Sequence, residues 1–210
     1  MTVGRIIDAQ ADVDEGAAWL AAQHPALERA IAAVGPLPLR RRPDGFAALL
    51  SAIVSQQVSV ASARAIWSRM EADGLTTVAT VAAADDDRLR AVGLSRQKMH
   101  YARALAEAGI DFDGLRDLPD AAVITKLTGV SGIGVWTAEI YAMFSLGRAD
   151  VFAPGDLALQ EAARMIFDLP ERPRDRDLRR MAEDWSPWRS VAARLFFTYY
   201  RHGKNREGVT

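Results

Sequence analysis

Two features in the second half of the chain have residue types and spacing that could do chemistry: the glycine pair Gly132 and Gly134, and the lone carboxylate Asp156. The glycines enclose one apolar residue, Ile133, and allow a tight turn with positive φ and a close approach of the backbone to a ligand. We expect a helix to begin near Val135, so its positive end and unpaired N–H groups would lie at this turn. The pattern predicts an anion-binding hairpin, although Gly-x-Gly before a helix is also an ordinary helix connection.

Asp156 follows the turn Pro154-Gly155 and stands at the predicted start of the next helix. An aspartate in this position is commonly a cap that accepts hydrogen bonds from the first helical turn. An ionised carboxylate could equally stabilise a developing positive charge and orient or deprotonate a water molecule. The residue type alone leaves both roles open.

The elements that position these groups are predicted to be helices. Apolar residues recur at helical spacing along most of the chain, with little β-strand signal and no internal repeat. Residues 46–73 hold two such segments, with Ser59 as the expected N-cap of the second. Residues 80–92 predict one short helix that ends at Gly93, and Ser95 is the expected cap of the helix after it. The fold class is therefore all-α.

Composition restricts the possible functions. A chain of 210 residues with 50% hydrophobic content can bury a core, in one domain or in two closely packed lobes. It has no cysteine, which excludes disulfides, thiol nucleophiles and cysteine-ligated zinc or iron–sulfur sites. We see no signal peptide and no membrane-spanning run, and expect a soluble cytoplasmic protein.

The formal net charge of −1 means that any nucleic-acid-binding face must be local. The run Arg40 to Arg42 could contact phosphate, but a short charge run in a loop is more often solvated. Arg96 and Lys98 are candidate phosphate contacts in the same sense, and an exposed helix face is at least as good an explanation for them.

The complete pattern around the glycine pair is more specific than the pair itself. It comprises Leu127, Val130, Gly132, Ile133, Gly134, Thr137 and Ala138. Together with Gly155-Asp156 it resembles the helix-hairpin-helix/Gly-Pro-Asp superfamily of DNA glycosylases, and the resemblance extends over about residues 46–201. This family holds DNA through the sugar-phosphate backbone without reading its sequence.

The resemblance implies roles for individual residues. Asp156 would be catalytic. The residues that contact DNA would be Gly132, Ile133, Gly134 and Thr137. A monovalent cation, Na or K, would be held by the backbone carbonyls of Thr128, Val130 and Ile133 and would bridge to a phosphate.

A second segment resembles the part of the family that enters the DNA: Ile53-Val54-Ser55-Gln56-Gln57-Val58-Ser59. By this match Gln57 is the wedge that fills the gap left by a flipped nucleotide. Extruding a base costs on the order of a few kcal/mol, so a residue that keeps it out has a physical purpose. Paired glutamines at a helix junction are otherwise exposed filler.

The run Trp185-Ser186-Pro187-Trp188-Arg189-Ser190 resembles the start of the last helix in the 3-methyladenine DNA glycosylase II, or alkylation-repair, branch, with Pro187 as the expected helix start. The resemblance implies that Trp136 and Phe197 stack on the damaged base, with Tyr141 as a neighbouring candidate. Trp136 could instead be plain helix packing. A further aromatic position of the family is Ile140 here, which leaves the range of substrates open.

Branches that also cut the DNA backbone use a lysine nucleophile at the position of Trp136, so the resemblance implies a monofunctional enzyme without lyase activity. We predict two helical lobes with the active-site cleft between them: residues 46–149, which end in the hairpin, and residues 1–45 with 150–210.

The predicted function is base excision repair by a monomer that flips and excises 3-methyladenine-type bases from double-stranded DNA. The protein would need no cofactor and carry no iron–sulfur cluster, and it would be cytoplasmic and associated with the nucleoid through DNA. Two alternatives stay open: a glycosylase for uracil or an oxidised purine, and a non-catalytic helix-hairpin-helix module that only binds DNA.

Overall fold

A computed structural model describes the backbone of residues 3–207 and the side chains as far as residue 204. In this part of the chain the regular elements are twelve α-helices and two 3₁₀ segments, with one isolated antiparallel bridge between Ile6 and Arg148. The prediction of an all-α protein is confirmed. Within the described residues, no helix is both long and apolar enough to cross a membrane.

Residues 43–141 form one compact unit. Its helices are α3 (Phe46–Ser55), α4 (Val60–Ala72), α5 (Val78–Ala83), α6 (Asp86–Ala91), α7 (Arg96–Glu107), α8 (Asp120–Thr128) and the greater part of α9 (Val135–Phe144), with a 3₁₀ segment at Gly114–Asp117. Helix α7 is central, because α3, α5 and α6 all pack against it. The fully buried side chains of this core include Leu49, Leu50, Ile53, Met70 and Leu105. Each contributes roughly 1.5–3 kcal/mol by leaving water.

Short polar side chains set the starts of these helices. The predicted caps are confirmed: Ser59 accepts from the Ser62 N–H at 3.1 Å, and Ser95 accepts from the Lys98 N–H at 3.3 Å. The single helix predicted over residues 80–92 is wrong, since the chain forms α5 and α6 instead. Asp85 is extended and accepts from the Arg88 N–H at 2.8 Å, which begins a new helix.

Residues 1–42 and 142–210 form the second compact unit. Its helices are α1 (Gln10–Gln23), α2 (Pro25–Val34), α10 (Leu157–Ile166), α11 (Asp175–Met181) and α12 (Arg189–Glu207), with a 3₁₀ segment at Ala182–Trp185. Helix α12 packs against α1, α2 and α10. The core contains an aromatic cluster, in which the rings of Trp185 and Phe196 have centroids 4.8 Å apart and Phe167 stacks on Trp185 at 6.0 Å.

The start of the last helix differs from the prediction. Pro187 lies in a turn closed by the Trp188 N–H, which donates to the Trp185 carbonyl at 2.8 Å, and α12 begins only at Arg189. Trp188 is buried against α1 at Gly16, where an added Cβ would lie 2.8 Å from the indole. The absence of a side chain at Gly16 therefore allows α1 and α12 to approach closely.

Candidate functional site

The predicted hairpin lies between α8 and α9, and its two glycines are used differently. Gly132 has φ +92°, and an added Cβ would overlap the ring of Tyr101, so both conformation and space require glycine there. Gly134 lies outside the left-handed region, and an added Cβ would meet no atom within 4 Å. Of the two glycines expected to allow a positive φ, only Gly132 uses it. At Gly134 the backbone is simply open to the outside.

Buried side chains hold this turn in place. The Ile133 side chain is 3% exposed, and its N–H donates to the Val130 carbonyl at 3.0 Å. Thr137 is buried on the first turn of α9, and Ala138 is fully buried beside it. Because α9 begins at Val135, the first-turn N–H groups and the positive end of the helix dipole lie at the hairpin. This is the arrangement that binds an anion.

The carbonyls expected to hold a cation lie on the same hairpin. Val130 is buried and its carbonyl already accepts from the Ile133 N–H, while the Thr128 hydroxyl donates back to the Ile124 carbonyl at 2.8 Å. Within the described residues there is no group of three or more His, Cys, Asp or Glu side chains that could hold a metal ion. Any cation at the hairpin would therefore depend on backbone oxygens.

The loop between α3 and α4 carries the predicted wedge. Gln57 is exposed and has φ +55°, a left-handed conformation that is strained for a residue with a side chain. Such strain costs about 1–3 kcal/mol and tends to be kept at functional sites. The next residues expose apolar side chains as well, with Val58 39% and Val60 75% exposed. A strained glutamine beside exposed apolar side chains is not what an ordinary solvent-exposed loop requires, which favours a role for this loop in binding.

The attachment of this loop to the hairpin could not be predicted from the sequence. The Gln56 amide Nε2 donates to the Gly132 carbonyl at 2.9 Å, so the residue before the candidate wedge is tied directly to the glycine turn. The ring of Tyr101, on α7, packs against the same glycine. The only sequence signal was the glutamine pair itself, and only the structure shows which member faces the hairpin.

Lys98, expected either to contact phosphate or to lie on an exposed helix face, is buried. Its side chain is 9% exposed, and Nζ donates to the Val54 carbonyl near the end of α3 at 2.6 Å. Burial lowers the pKa of Lys98. This lysine therefore supports the base of the Gln57 loop and is not on an exposed face, whereas Arg96 is exposed. A cavity of about 280 Å³ lies beside the loop, lined in part by Gln57 and Lys98.

The two aromatic candidates on α9 have opposite environments. Trp136 is 45% exposed, which the core-packing alternative does not explain. Tyr141 is 4% exposed, and its hydroxyl accepts from the Gly45 N–H at 2.8 Å. Burial raises the pKa of Tyr141 to about 12, so the phenol stays neutral. Trp136 can contact a ligand through its ring, while Tyr141 is a fixed part of the protein interior.

Asp156 lies at the start of α10, in the unit formed by both termini. Its Oδ1 accepts from the Ala158 N–H at 2.8 Å and from the Leu159 N–H at 3.3 Å, so it is the cap that its position predicted. The preceding turn is held by Gln160, whose buried amide donates to the Pro154 carbonyl at 2.8 Å. Asp156 is half-buried. The cap fixes the carboxylate and leaves it partly accessible, so capping and chemistry are compatible.

The third aromatic candidate, Phe197, is half-buried and lies 6.2 Å from the ring of Phe144. The Arg40 guanidinium lies 4.7 Å from the centre of the Phe197 ring and 4.8 Å from that of Phe144. Burial lowers the pKa of Arg40, as do the charges of Arg42 and Arg201, while the carboxylate of Asp156 raises it. The interpretation of Arg40 as simply solvated is therefore wrong: it is half-buried on two aromatic rings, within electrostatic reach of Asp156.

These features were compared with known proteins. A model of the HhH-GPD superfamily of base excision DNA repair proteins matches residues 50–187, which include the Gln57 loop, the hairpin and Asp156. DNA-3-methyladenine glycosylase 1 of Schizosaccharomyces pombe is 30% identical over 159 residues, which cover 71% of this chain and 70% of the relative.

Two solved structures are similar along most of the chain. A DNA-3-methyladenine glycosidase from Bacillus halodurans superposes with a TM-score of 0.81 and 33% identity, covering 89% of each chain. The S. pombe 3-methyladenine DNA glycosylase Mag1, solved in complex with abasic DNA, superposes with a TM-score of 0.75 and 27% identity over 90% of this chain and 97% of its own.

Proposed function

The chain belongs to the HhH-GPD superfamily of base excision DNA repair proteins, and we propose that it is a DNA glycosylase that excises alkylated bases of the 3-methyladenine type from double-stranded DNA. The observation that carries the proposal is the half-buried carboxylate of Asp156, fixed as a helix cap in a chain that also has the anion-binding hairpin. The similarity to 3-methyladenine glycosylases supports the choice of lesion.

DNA binding begins at the hairpin. The first-turn N–H groups of α9 receive a phosphate of the backbone, which they can approach because Gly134 presents no side chain. A Na or K ion held by the carbonyls of Thr128, Val130 and Ile133 would bridge to the same strand. Binding of this kind carries no sequence information, which suits an enzyme that must search all DNA.

The damaged nucleotide is then flipped out of the duplex. Gln57 fills the space it leaves, with the loop held by the Gln56 amide on the hairpin. Trp136 offers an exposed ring and Phe197 a half-buried one, and either can stack on a base. Tyr141 contributes to the base pocket as a fixed side chain, because its hydroxyl already accepts a hydrogen bond from the Gly45 N–H.

The chemical step breaks the bond between C1′ of the deoxyribose and the base nitrogen. The bonding electrons leave with the base, and because a 3-methyladenine base is already cationic, it departs neutral without needing an acid. The carboxylate of Asp156 stabilises the positive charge that develops on the sugar. Water then bonds to C1′ and gives up its proton to Asp156 or to solvent. With tryptophan at position 136 there is no lysine to form a Schiff base, so the phosphodiester backbone stays intact.

The test is release of free base from methylated duplex DNA by the wild type and by Asp156→Asn. Asparagine caps a helix as well as aspartate does, so this variant keeps the fold and removes only the charge. We expect 3-methyladenine from the wild type, a loss of about 10²-fold or more in the variant, and strand breaks only after alkali. Circular dichroism and DNA affinity of the variant provide the control.

Each other outcome has a defined meaning. Full activity of Asp156→Asn would leave Asp156 as a cap only. Tight DNA binding without any base release would favour a binding module, and release from DNA that carries uracil or an oxidised purine would identify another lesion. We also expect the protein to sediment as a monomer at the concentration used in the base-release assay.

A further inference from the structure

We propose that Arg40, Arg42 and Arg201 form a second phosphate-binding site, which takes a phosphodiester group of DNA beside Asp156. The site lies within the unit formed by the two termini and shares no residue with the hairpin. The inference rests on the proposed function in that the anion is a phosphate of the DNA substrate. It gives Arg40 and Arg42, from a run that sequence alone leaves between phosphate contact and simple solvation, a role in DNA binding in a chain of net charge −1.

Two of the three arginines lie on one pair of aromatic rings, and the third follows Phe197 on α12. The Arg40 guanidinium lies on Phe144 and Phe197 at 4.8 and 4.7 Å. The Arg42 guanidinium lies 5.7 Å from the centre of the Phe144 ring, and the backbone N–H of Arg42 donates to the Phe144 carbonyl at 2.9 Å. Arg201 donates from Nε to the Phe197 carbonyl at 3.3 Å. The Phe144 ring therefore brings the guanidinium groups of Arg40 and Arg42 together, and Arg201, one helical turn beyond Phe197, lies close enough for its charge to lower the pKa of Arg40.

The edges of the Arg40 and Arg42 guanidinium groups remain available to a ligand. In the part of the chain that the structure describes, no carboxylate forms an ion pair within 4.0 Å of Arg40 or Arg42. A guanidinium that stacks through its face keeps its N–H groups in the plane of the group, where they can donate two parallel hydrogen bonds to a phosphate. The aromatic rings thus hold Arg40 in position without using its donors.

A fourth arginine lies in the same cluster. Arg194 is fully buried with its guanidinium 5.0 Å from the centre of the Phe144 ring, and it donates to the carbonyls of Leu39 and Ser190 at 2.9 Å each. Its Nη2 is buried without a hydrogen-bond partner among the described residues. Burial, with the charges of Arg40 and Arg41, lowers the pKa of Arg194 to about 10. Like charges crowd each other here, and Asp156 supplies one negative charge.

This charge balance selects the ligand class. A phosphodiester supplies the negative charge that these arginines and the single carboxylate of Asp156 leave unbalanced. The backbone of Arg40 is also held at φ +51°, a strained conformation that the surroundings must maintain. The unbalanced positive charge favours an anionic ligand, and the strained backbone shows that the surroundings hold Arg40 in one conformation.

The test is the salt dependence of DNA binding by Arg40→Gln and Arg42→Gln. Fluorescence anisotropy measures Kd for a duplex that contains a tetrahydrofuran abasic-site analogue between 50 and 200 mM KCl. Loss of one phosphate contact makes the slope of log K against log[salt] shallower by about 0.9. We expect this change in each variant. Arg40→Lys, which keeps the charge, should retain most of the wild-type slope.

The matched control is Arg29→Gln, which removes an exposed arginine on α2 and should leave the slope unchanged. Thermal melting of each variant establishes that it is folded, and Arg42, being exposed, can be replaced without disturbing the core. Wild-type slopes in both Arg40→Gln and Arg42→Gln would overturn the proposal. The proposal would also be overturned if the slopes were unchanged but the variants excised cationic methylpurines and neutral hypoxanthine in a different ratio from the wild type, since Arg40 would then act on the base.

The binding experiment uses DNA that cannot react, so it is independent of the glycosylase assay. Base release by the wild type together with unchanged slopes would support the proposed function and refute the second phosphate-binding site. Shallower slopes without base release from methylated DNA would support the phosphate-binding site and refute the proposed lesion.

Discussion

Replacement by alanine is expected to have opposite effects on stability at the two hairpin glycines. Gly132→Ala places a methyl group at φ +92° and against the ring of Tyr101. The left-handed conformation costs an alanine roughly 1–2 kcal/mol, and displacing the ring adds roughly 1–3 kcal/mol. We therefore expect the free energy of unfolding to fall by about 2–5 kcal/mol. At about 2–4 °C per kcal/mol for a chain of this size, the melting temperature should fall by roughly 4–20 °C.

Gly134→Ala should not destabilise the protein. The Gly134 backbone is outside the left-handed region, and the added methyl group meets nothing within 4 Å. Because alanine has less conformational freedom than glycine in the unfolded chain, the variant should be more stable by about 0.4–1 kcal/mol. Its effect should instead be on DNA. Gly134→Asp goes further, because a negative side chain at the phosphate should weaken binding by about tenfold or more for every DNA sequence.

Thermal melting followed by circular dichroism and anisotropy with an undamaged 20-base-pair duplex measure the two effects separately. The reasoning would be refuted if Gly134→Ala lowered the melting temperature as much as Gly132→Ala does, or if Gly132→Ala melted like the wild type. Undiminished DNA binding by Gly134→Asp would remove the hairpin as the phosphate site.

Three further predictions concern the unit of residues 43–141. Gln57→Ala should weaken binding to lesion-containing duplex more than it slows base release from single strands, and an equal loss on both would count against a wedge. Lys98→Met removes the donor to the Val54 carbonyl and should lower the free energy of unfolding by about 1–3 kcal/mol in urea titrations; an unchanged midpoint would show that the bond is dispensable. Because burial raises the pKa of Tyr141 from 10.0 to about 12, its neutral form contributes stability that is present below pH 10 and lost as the pH rises through 12. Tyr141→Phe should therefore lose less stability than the wild type over that interval, and parallel alkaline curves would contradict this.

Much of the local structure could be predicted because it depends on near neighbours in the sequence. Ser59 and Ser95 cap helices because their hydroxyls reach an N–H three residues ahead. The same local chemistry explains a failure: Asp85 is also a cap, and it divided the helix predicted over residues 80–92. Helical spacing of apolar residues does not reveal such a break, because the buried residues Val81 of α5 and Leu89 of α6 stand at a spacing that an uninterrupted helix would also give.

The candidate site was predicted in part. Asp156 and the hairpin were found because the motif is continuous in sequence, and the structure places them at helix starts as expected. The roles of Gln56 and Lys98 were not found, because their partners are the carbonyls of Gly132 and Val54, 76 and 44 residues away. Nothing in the residue type shows that a lysine will be buried on a distant carbonyl.

The sequence by itself determined the all-α class and the family, since helical periodicity, caps and a contiguous glycine motif are local properties of the chain. Only the tertiary structure decided which charges and rings come together. It brought Arg40 onto Phe144 and Phe197, more than 100 residues away, and into the field of Asp156. The physical reason is that electrostatic and aromatic contacts depend on distance in space, and distance in space between remote segments is set by how the whole core packs.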